Sequence, residues 1–219
     1  MGESGVSHLG LDSPEYAHTL SRCALMSKAV SRAGRPRSFD PQVALSDALD
    51  VFWRKGYEAT SLDDLTEATH LSRSSFYAAF GSKRELLLHA YRRYANAFYA
   101  DMKALADEHE DTDTALRAVV KALVDARPDD RGCFCVNAIV ELAPSDPELA
   151  ELGRDHIQRM CTLLEQLITR RGTRRPLARA LAATLMTLTM GSAVFRKASV
   201  AEGTLKSVQR QALGLLGLA

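Results

Sequence analysis

Aromatic side chains are scarce, 6% of the chain, and no stretch alternates apolar and polar residues over the length of a strand. Abundant Ala, Leu and Arg fill the place such residues would take, so the composition excludes a sheet-built fold and favours helices. No apolar run approaches the roughly 20 residues that a bilayer span needs, and no membrane is expected as a partner. The N-terminus lacks a basic segment followed by a continuous apolar one, which argues against a secretory leader. Four cysteines are too few for a disulfide scaffold and place the protein in a reducing cytoplasm. No spacing of His, Cys, Asp and Glu suits a metal, and no cofactor motif is present.

What is there is a chain of 219 residues, 46% hydrophobic, with ample material for a buried core. Its net charge of +1 hides three blocks. Arg22, Lys28, Arg32, Arg35 and Arg37 follow one another with no acid between them. Acids dominate from Asp101 to Glu151, and from Arg170 onward the cations meet one acid, Glu202. A basic arm ahead of a helical motif favours nucleic acid through counterion release. The C-terminal cations read more simply as a solvated face.

Residues 1 to 34 show no sustained periodicity and read as a flexible extension, within which Met26-Ser27-Lys28 offers an alternative start. Order is predicted from Asp40, an N-cap with Pro41 behind it. Leu45, Ala48, Leu49, Phe52 and Trp53 form a helical stripe, and Gly56 ends that helix. Thr60 or Ser61 starts a second helix, with Asp63 or Asp64 placed to complete a capping box. Thr69-His70-Leu71 is a turn. Ser72 caps a third helix, buried through Phe76 and Phe80, and Gly81 stops it. Ser82 then opens a long connecting helix to about Ala104. Further helices are predicted at about Thr114–Ala126, Cys133–Ala143, Pro147–Arg171, Pro176–Lys197 and Thr204–Leu216. The fold class is all-α, a three-helix N-terminal unit followed by a larger helical body.

Two short helices around a tight turn, the second beginning Ser72-Arg73-Ser74-Ser75, suit the reading of DNA. Short polar groups permit close approach, and an arginine can contact guanine in two places. Ala48-x3-Phe52-x3-Gly56-Tyr57-x2-Thr60-Ser61, Leu65-x2-Ala68, Leu71 to Tyr77 and Phe80-Gly81-Ser82-Lys83-x-Glu85-Leu86-Leu87 together resemble the TetR family of bacterial transcriptional regulators. The resemblance covers about Pro36 to Tyr94. It implies a DNA-binding domain over 35–82, with its motif at 61–80, and an effector-binding and dimerisation domain over 83–219. It also implies DNA contacts by Thr60, Ser61, Ser72, Arg73, Ser74, Ser75, Tyr77 and Lys83, which the basic arm extends through Arg35 and Arg37. Two departures stand out. His70 occupies a turn position the family gives to glycine, so a positive φ is expected there. Ala78 replaces a larger side chain, shifting base reading towards the helix start.

The family likeness implies a homodimer through the last two helices. Ala180, Ala183, Thr184, Thr187 and Gly191 form a small-residue stripe for close helix approach, and Leu205, Val208, Ala212 and Leu215 form an apolar one. In the body, Gly132 to Leu142 is apolar nearly all round and reads as a buried helix. Asn137 and Glu141 make its only polar line, either orienting a ligand or facing solvent. Cys133 and Cys135, two apart on a helix, are expected to point apart. Each is a buried small hydrophobe or a helix-start thiol open to oxidants and electrophiles. His156 and Met160, with Met186 and Met190, are candidates to line a cavity for an unnamed small molecule.

The leading reading is a homodimeric repressor of a palindromic double-stranded operator, released by a small molecule, oxidant or electrophile. A TetR-like activator is the alternative of the same class. A cysteine-based redox enzyme would need a resolving pair and a base beside a thiolate, and no Cys-x-x-Cys or acid–base–nucleophile set is spaced for it.

Overall fold

In a computed structural model the described residues are 40–124 and 131–219. Arg35, Arg37, the extension over 1–34 and the expected end of a helix at Ala126 lie outside them. Among the described residues the chain is helical throughout: α1 (Pro41–Lys55), α2 (Leu62–Thr69), α3 (Arg73–Phe80), α4 (Lys83–Asp107), α5 (Thr112–Leu123), α6 (Phe134–Leu142), α7 (Pro147–Arg170), α8 (Arg175–Lys197) and α9 (Glu202–Gly214).

The starts of the first four helices are written in their caps. Asp40 accepts from the Gln42 amide and Pro41 follows it. Ser61, not Thr60, caps α2, and Ser61 and Asp64 form a reciprocal capping box. Ser72 and Ser82 cap α3 and α4. Between α2 and α3, His70 sits at φ 54° and ψ 30°, the left-handed conformation expected of it. Its amide donates to Glu67 O and the next, Leu71 N, to Thr66 O, the paired bonds of a Schellman motif. Imidazole tolerates this region better than a β-branched side chain would.

The body departs from expectation at helix starts. α5 begins at Thr112 because Asp111, overlooked as a cap, accepts from the amide and hydroxyl of Thr114. α9 begins at Glu202 rather than Thr204. α6 begins at Phe134, with Cys133 left outside it as an extended N-cap (φ −106°, ψ 127°).

Two apolar cores hold the molecule. One joins the later part of α4 to α5, α7, α8 and α9 around Leu116, Val119, Met160, Leu164, Leu167 and Leu185. The other joins α1–α3 to the first part of α4 and to α6, through Phe52, Leu65, Phe76, Leu87, Tyr91, Phe134 and Ala138. The N-terminal helices therefore share their core with α6 from the body. Three helices of 15, 8 and 8 residues are too short to bury enough surface alone. Gly153 lets α7 approach α6, since a Cβ there would stand 2.8 Å from Ile139 Cγ1.

α7 and α8 are the longest-paired elements. α8 is long and apolar enough to cross a membrane by length and composition alone. The sequence reading missed this because Arg179 interrupts the run. Only 33% of that run is buried, and Leu177, Val194 and Phe195 are exposed beside the small-residue stripe. On α9 the expected stripe divides: Leu205 and Ala212 turn into the chain's own core, while Leu215 is exposed.

Candidate functional site

The start of α3 is the most open polar surface of the N-terminal helices. Phe76 and Phe80 anchor one side of α3 against Leu65 and the α4 residues of their core, which leaves Ser72, Arg73, Ser74, Ser75 and Tyr77 exposed on the other. The Ser72 hydroxyl accepts from Ser75 N (3.2 Å) and lies within 3.0 Å of Ser74 Oγ and 2.9 Å of Ser75 Oγ. The three hydroxyls form one short cluster at the helix N-terminus, where the backbone dipole favours a phosphate. Arg73 Nη2 donates to Asp63 Oδ1 at 2.7 Å, both side chains being mostly solvated. That bond keeps the guanidinium's pKa above its ordinary value, and an exposed pair of this kind is weak enough to be exchanged for a phosphate or a base. Tyr77 is 53% exposed and stands edge-on to Phe76.

Two of the expected DNA-contacting side chains are engaged elsewhere. Thr60 is 1% exposed, and its hydroxyl donates to Gly56 O at 2.5 Å. It closes the α1–α2 turn and has no free side chain to offer. Lys83 Nζ donates to Thr60 O at 2.6 Å and lies 4.2 Å above the Tyr57 ring. Ser61 is exposed at the α2 start, but its hydroxyl already accepts from Asp64 N. Asp64, in turn hydrogen-bonded by Lys55 and Ser61, has its pKa held down at about 2.

Glu141 is exposed at the end of α6. Its carboxylate accepts from Tyr57 N (3.0 Å) and Glu58 N (2.9 Å), binding the end of α6 to the α1–α2 turn. Gly56 sits against it at φ 80°, and a Cβ there would come within 3.1 Å of Oε2. Asn137 donates to Arg131 O at 2.8 Å, the oxygen that also receives the Trp53 indole at 3.3 Å. The polar line of α6 thus reaches the N-terminal helices, and both residues border a second, smaller cavity beside Gly56, Tyr57 and Lys197. A second tie was not legible in sequence. Arg84 makes paired bonds to Asp146 (2.7 and 2.9 Å) and one to Glu148 (3.0 Å), which also receives Arg92. These bonds join the start of α4 to the start of α7.

A cavity of about 760 Å³, open mouth included, lies between α1 and the helices of the body. Trp53, Tyr94, Phe98, Ile157, Met186 and Met190 give it an apolar, largely aromatic wall, and Cys133, Cys135 and His156 reach it. Met160 does not; it is fully buried in the core. His156 is 6% exposed and packs edge-on against Phe98. Its Nδ1 has no hydrogen-bond partner, and burial pushes its pKa down to about 4, so the ring is neutral.

The cysteines are the main correction to the sequence reading. Their side chains meet instead of diverging, because Cys133 is extended and only Cys135 is helical. Cys135 shares a hydrogen bond with Cys133, which lowers the Cys133 pKa, helped by the α6 amides and Tyr94. Burial raises that of Cys135. The Tyr91 hydroxyl lies beside them without a partner in full hydrogen-bond geometry, and burial raises its pKa. Among the described residues no group of three or more His, Cys, Asp or Glu is placed to hold a metal.

A short helix presented by its polar N-terminus, braced by a second helix across a Schellman turn, defines a helix–turn–helix DNA-binding protein. Residues 44–90 match the family described as "Bacterial regulatory proteins, tetR family". The chain is 33% identical over 145 residues to the HTH-type transcriptional repressor ComR of Escherichia coli K12, covering 64% of this chain and 69% of ComR. It is 34% identical over 120 residues to the uncharacterised HTH-type regulator YezE of Bacillus subtilis 168, covering 53% and 62%. Among solved structures, a cysteine mutant of the TetR-family regulator CifR bound to 26-bp double-strand operator DNA superposes with a TM-score of 0.71. Its identity is 30%, over 82% of this chain and 98% of that one. The reduced form of E. coli NemR, at 16% identity and a TM-score of 0.71, shares the fold. The chain belongs to the TetR family and is a DNA-binding regulator of transcription.

Proposed function

We propose that the protein is a homodimeric repressor of a palindromic operator whose grip is released by a small apolar molecule, oxidant or electrophile acting in the α6–α8 pocket. The observation that carries the reading is the outward-facing start of α3, where Ser72, Arg73, Ser74, Ser75 and Tyr77 share one exposed surface. Arg73 supplies base discrimination, roughly 1–3 kcal/mol for a good two-point contact. The serine cluster and Tyr77 position the backbone, with Arg35 and Arg37 extending the contacts. Relatives are named repressors, which supports repression over activation. The exposed stripe of α8, with Leu177, Val194 and Phe195 around it, supports a symmetric partner, since an apolar face of this kind is unfavourable in water. Such a dimer sets two α3 helices about 34–36 Å apart, one turn of duplex. The protein acts in the bacterial cytoplasm, at the nucleoid when operator-bound.

α6 links the two activities. One end borders the pocket through Cys133 and Cys135, and the other holds the α1–α2 turn through Glu141. A change at one end alters the other by its differential affinity for the two states. The test is selection of bound duplexes from a random pool by the purified protein. A palindromic consensus with salt-dependent affinity is expected; enrichment of no sequence over random duplex sinks the reading.

A further inference from the structure

The pocket is lined by two thiols two residues apart, a buried imidazole with an unpartnered nitrogen and a wall rich in aromatic and methionine side chains. We infer that Cys133 and Cys135 form one two-thiol site that reduces a small organic hydroperoxide and closes to a disulfide within the subunit. The inference rests on the pocket being the sensory site and names its ligand class.

Three observations carry it. The extended backbone at Cys133 brings its side chain to the same cavity as that of Cys135 two residues later, close enough for the two thiols to interact, so the resolving thiol stands beside the attacking one. The two thiols differ in environment: Cys133 is partly exposed, while Cys135 is 1% exposed. Cys133 therefore meets the oxidant first and Cys135 remains a protonated donor at its side. Finally, Trp53, Phe98, Met186 and Met190 select an apolar substituent over water-like hydrogen peroxide. His156, 94% buried by the same measure that leaves it 6% exposed, offers its spare ring nitrogen to the polar end.

The chemistry balances without a further reactant. The Cys133 thiolate attacks the terminal oxygen of the hydroperoxide; an S–O bond forms and the O–O bond breaks. The alkoxide leaves and takes a proton from solvent to become the alcohol. Cys135 Sγ then attacks Cys133 Sγ; the S–S bond forms, the S–O bond breaks, and hydroxide leaves with the Cys135 proton as water. The two thiols lose two electrons and two protons in all, and the hydroperoxide becomes alcohol and water.

The test uses the full chain with Cys23→Ser and Cys161→Ser, so that only this pair can react, and cumene hydroperoxide as the probe. Mass spectrometry without reductant should show the peptide carrying both cysteines lighter by two hydrogens, with both free thiols lost. In the Cys135→Ala variant the reaction should stop at a sulfenic acid that dimedone traps on Cys133. Thermal melting by circular dichroism checks that this variant folds, and Cys135→Ser repeats the measurement if it does not. Disulfides only between chains, or only one thiol consumed in the paired protein, overturn the inference. Operator affinity is read on the same samples. Disulfide formation with unchanged affinity overturns the regulatory reading of the pocket while leaving the pair chemistry standing. Loss of affinity on oxidation without the internal disulfide overturns the pair and leaves the regulatory reading standing.

Discussion

The N-terminal helices and the sensory pocket treat polar groups in opposite ways. In the former, Thr60, Ser61, Thr69, Ser72 and Ser82 each complete a hydrogen bond to backbone or to a cap within a few residues. In the body, the Tyr91 hydroxyl, His156 Nδ1 and the Ser192 hydroxyl are buried with no partner. A buried unsatisfied group costs about 1–3 kcal/mol. The body therefore sacrifices stability that the DNA-reading end keeps. Two of the three lie at the pocket or against its thiols, where a ligand or a reaction can use the spare capacity. The reading surface needs rigidity, and its bonds are spent on shape.

The largest effect expected from this contrast is at His156. Its pKa is about 4 in the folded chain against an ordinary value of 6.5. Between those values the unfolded chain binds a proton that the native pocket refuses, so stability falls as pH drops from about 6.5 to 4 and levels below. The loss from this group reaches at most about 3 kcal/mol. A His156→Gln variant should lack that component. Urea unfolding of both proteins across the range checks it, and parallel pH profiles would remove the buried neutral imidazole from the account.

The next effect falls on the reading surface. Arg73→Ala should weaken binding to a selected operator by about tenfold, roughly 1–2 kcal/mol of a specific contact, while thermal stability barely moves. Among the described residues its ion-pair partner is the solvated Asp63, worth less than about 1 kcal/mol. Fluorescence anisotropy against specific and random duplexes separates the two components. Asp63→Asn should act in the opposite direction by releasing the guanidinium.

Between these in location, and smaller in size, is the joint at Glu141. Glu141→Gln keeps the shape but removes the charge that strengthens two amide bonds, and it should cost about 1 kcal/mol of stability. Its more telling result is uncoupling. Operator affinity in the variant should respond less to pocket occupancy or oxidation than in the parent protein. An undiminished response would move the signal path to the Arg84–Asp146–Glu148 tie.

The same contrast explains what was legible in the sequence. The reading surface is built from local signals: a serine three residues before its amide partner, a glycine at a helix end, phenylalanines four apart. Ser61, Ser72, Phe76, Phe80 and the left-handed His70 could all be placed that way. The pocket is built from residues brought together by tertiary packing. Trp53, Tyr94, His156 and Met190 come from four different helices, and no spacing announces their meeting. The cysteines were misread because a helical period was applied to Cys133, one residue outside the helix. The tie made by Glu141 left no trace in the sequence because its partners are backbone amides some 80 residues away, which carry no side-chain signature. Thr60 shows the remaining limit, since two adjacent hydroxyls look alike until one of them is buried.

The smallest prediction tests the contrast most directly, because it asks for opposite signs from two deletions of one hydroxyl. Ser61→Ala removes a satisfied group from the α2 capping box and should cost about 1 kcal/mol, leaving Asp64 N without its acceptor. Tyr91→Phe removes a group that has no partner to lose. The ring is fully buried between α4 and α6 and keeps its packing against Phe134. Stability should therefore stay level or rise by a few tenths of a kcal/mol, because the desolvation cost of the hydroxyl disappears with it. Denaturant midpoints of the two variants, measured at neutral pH under reducing conditions, decide the matter. A loss at Tyr91 equal to that at Ser61 would mean that its hydroxyl holds a bond to the Cys135 thiol, and the pocket would then be as fully satisfied there as the helices that read DNA.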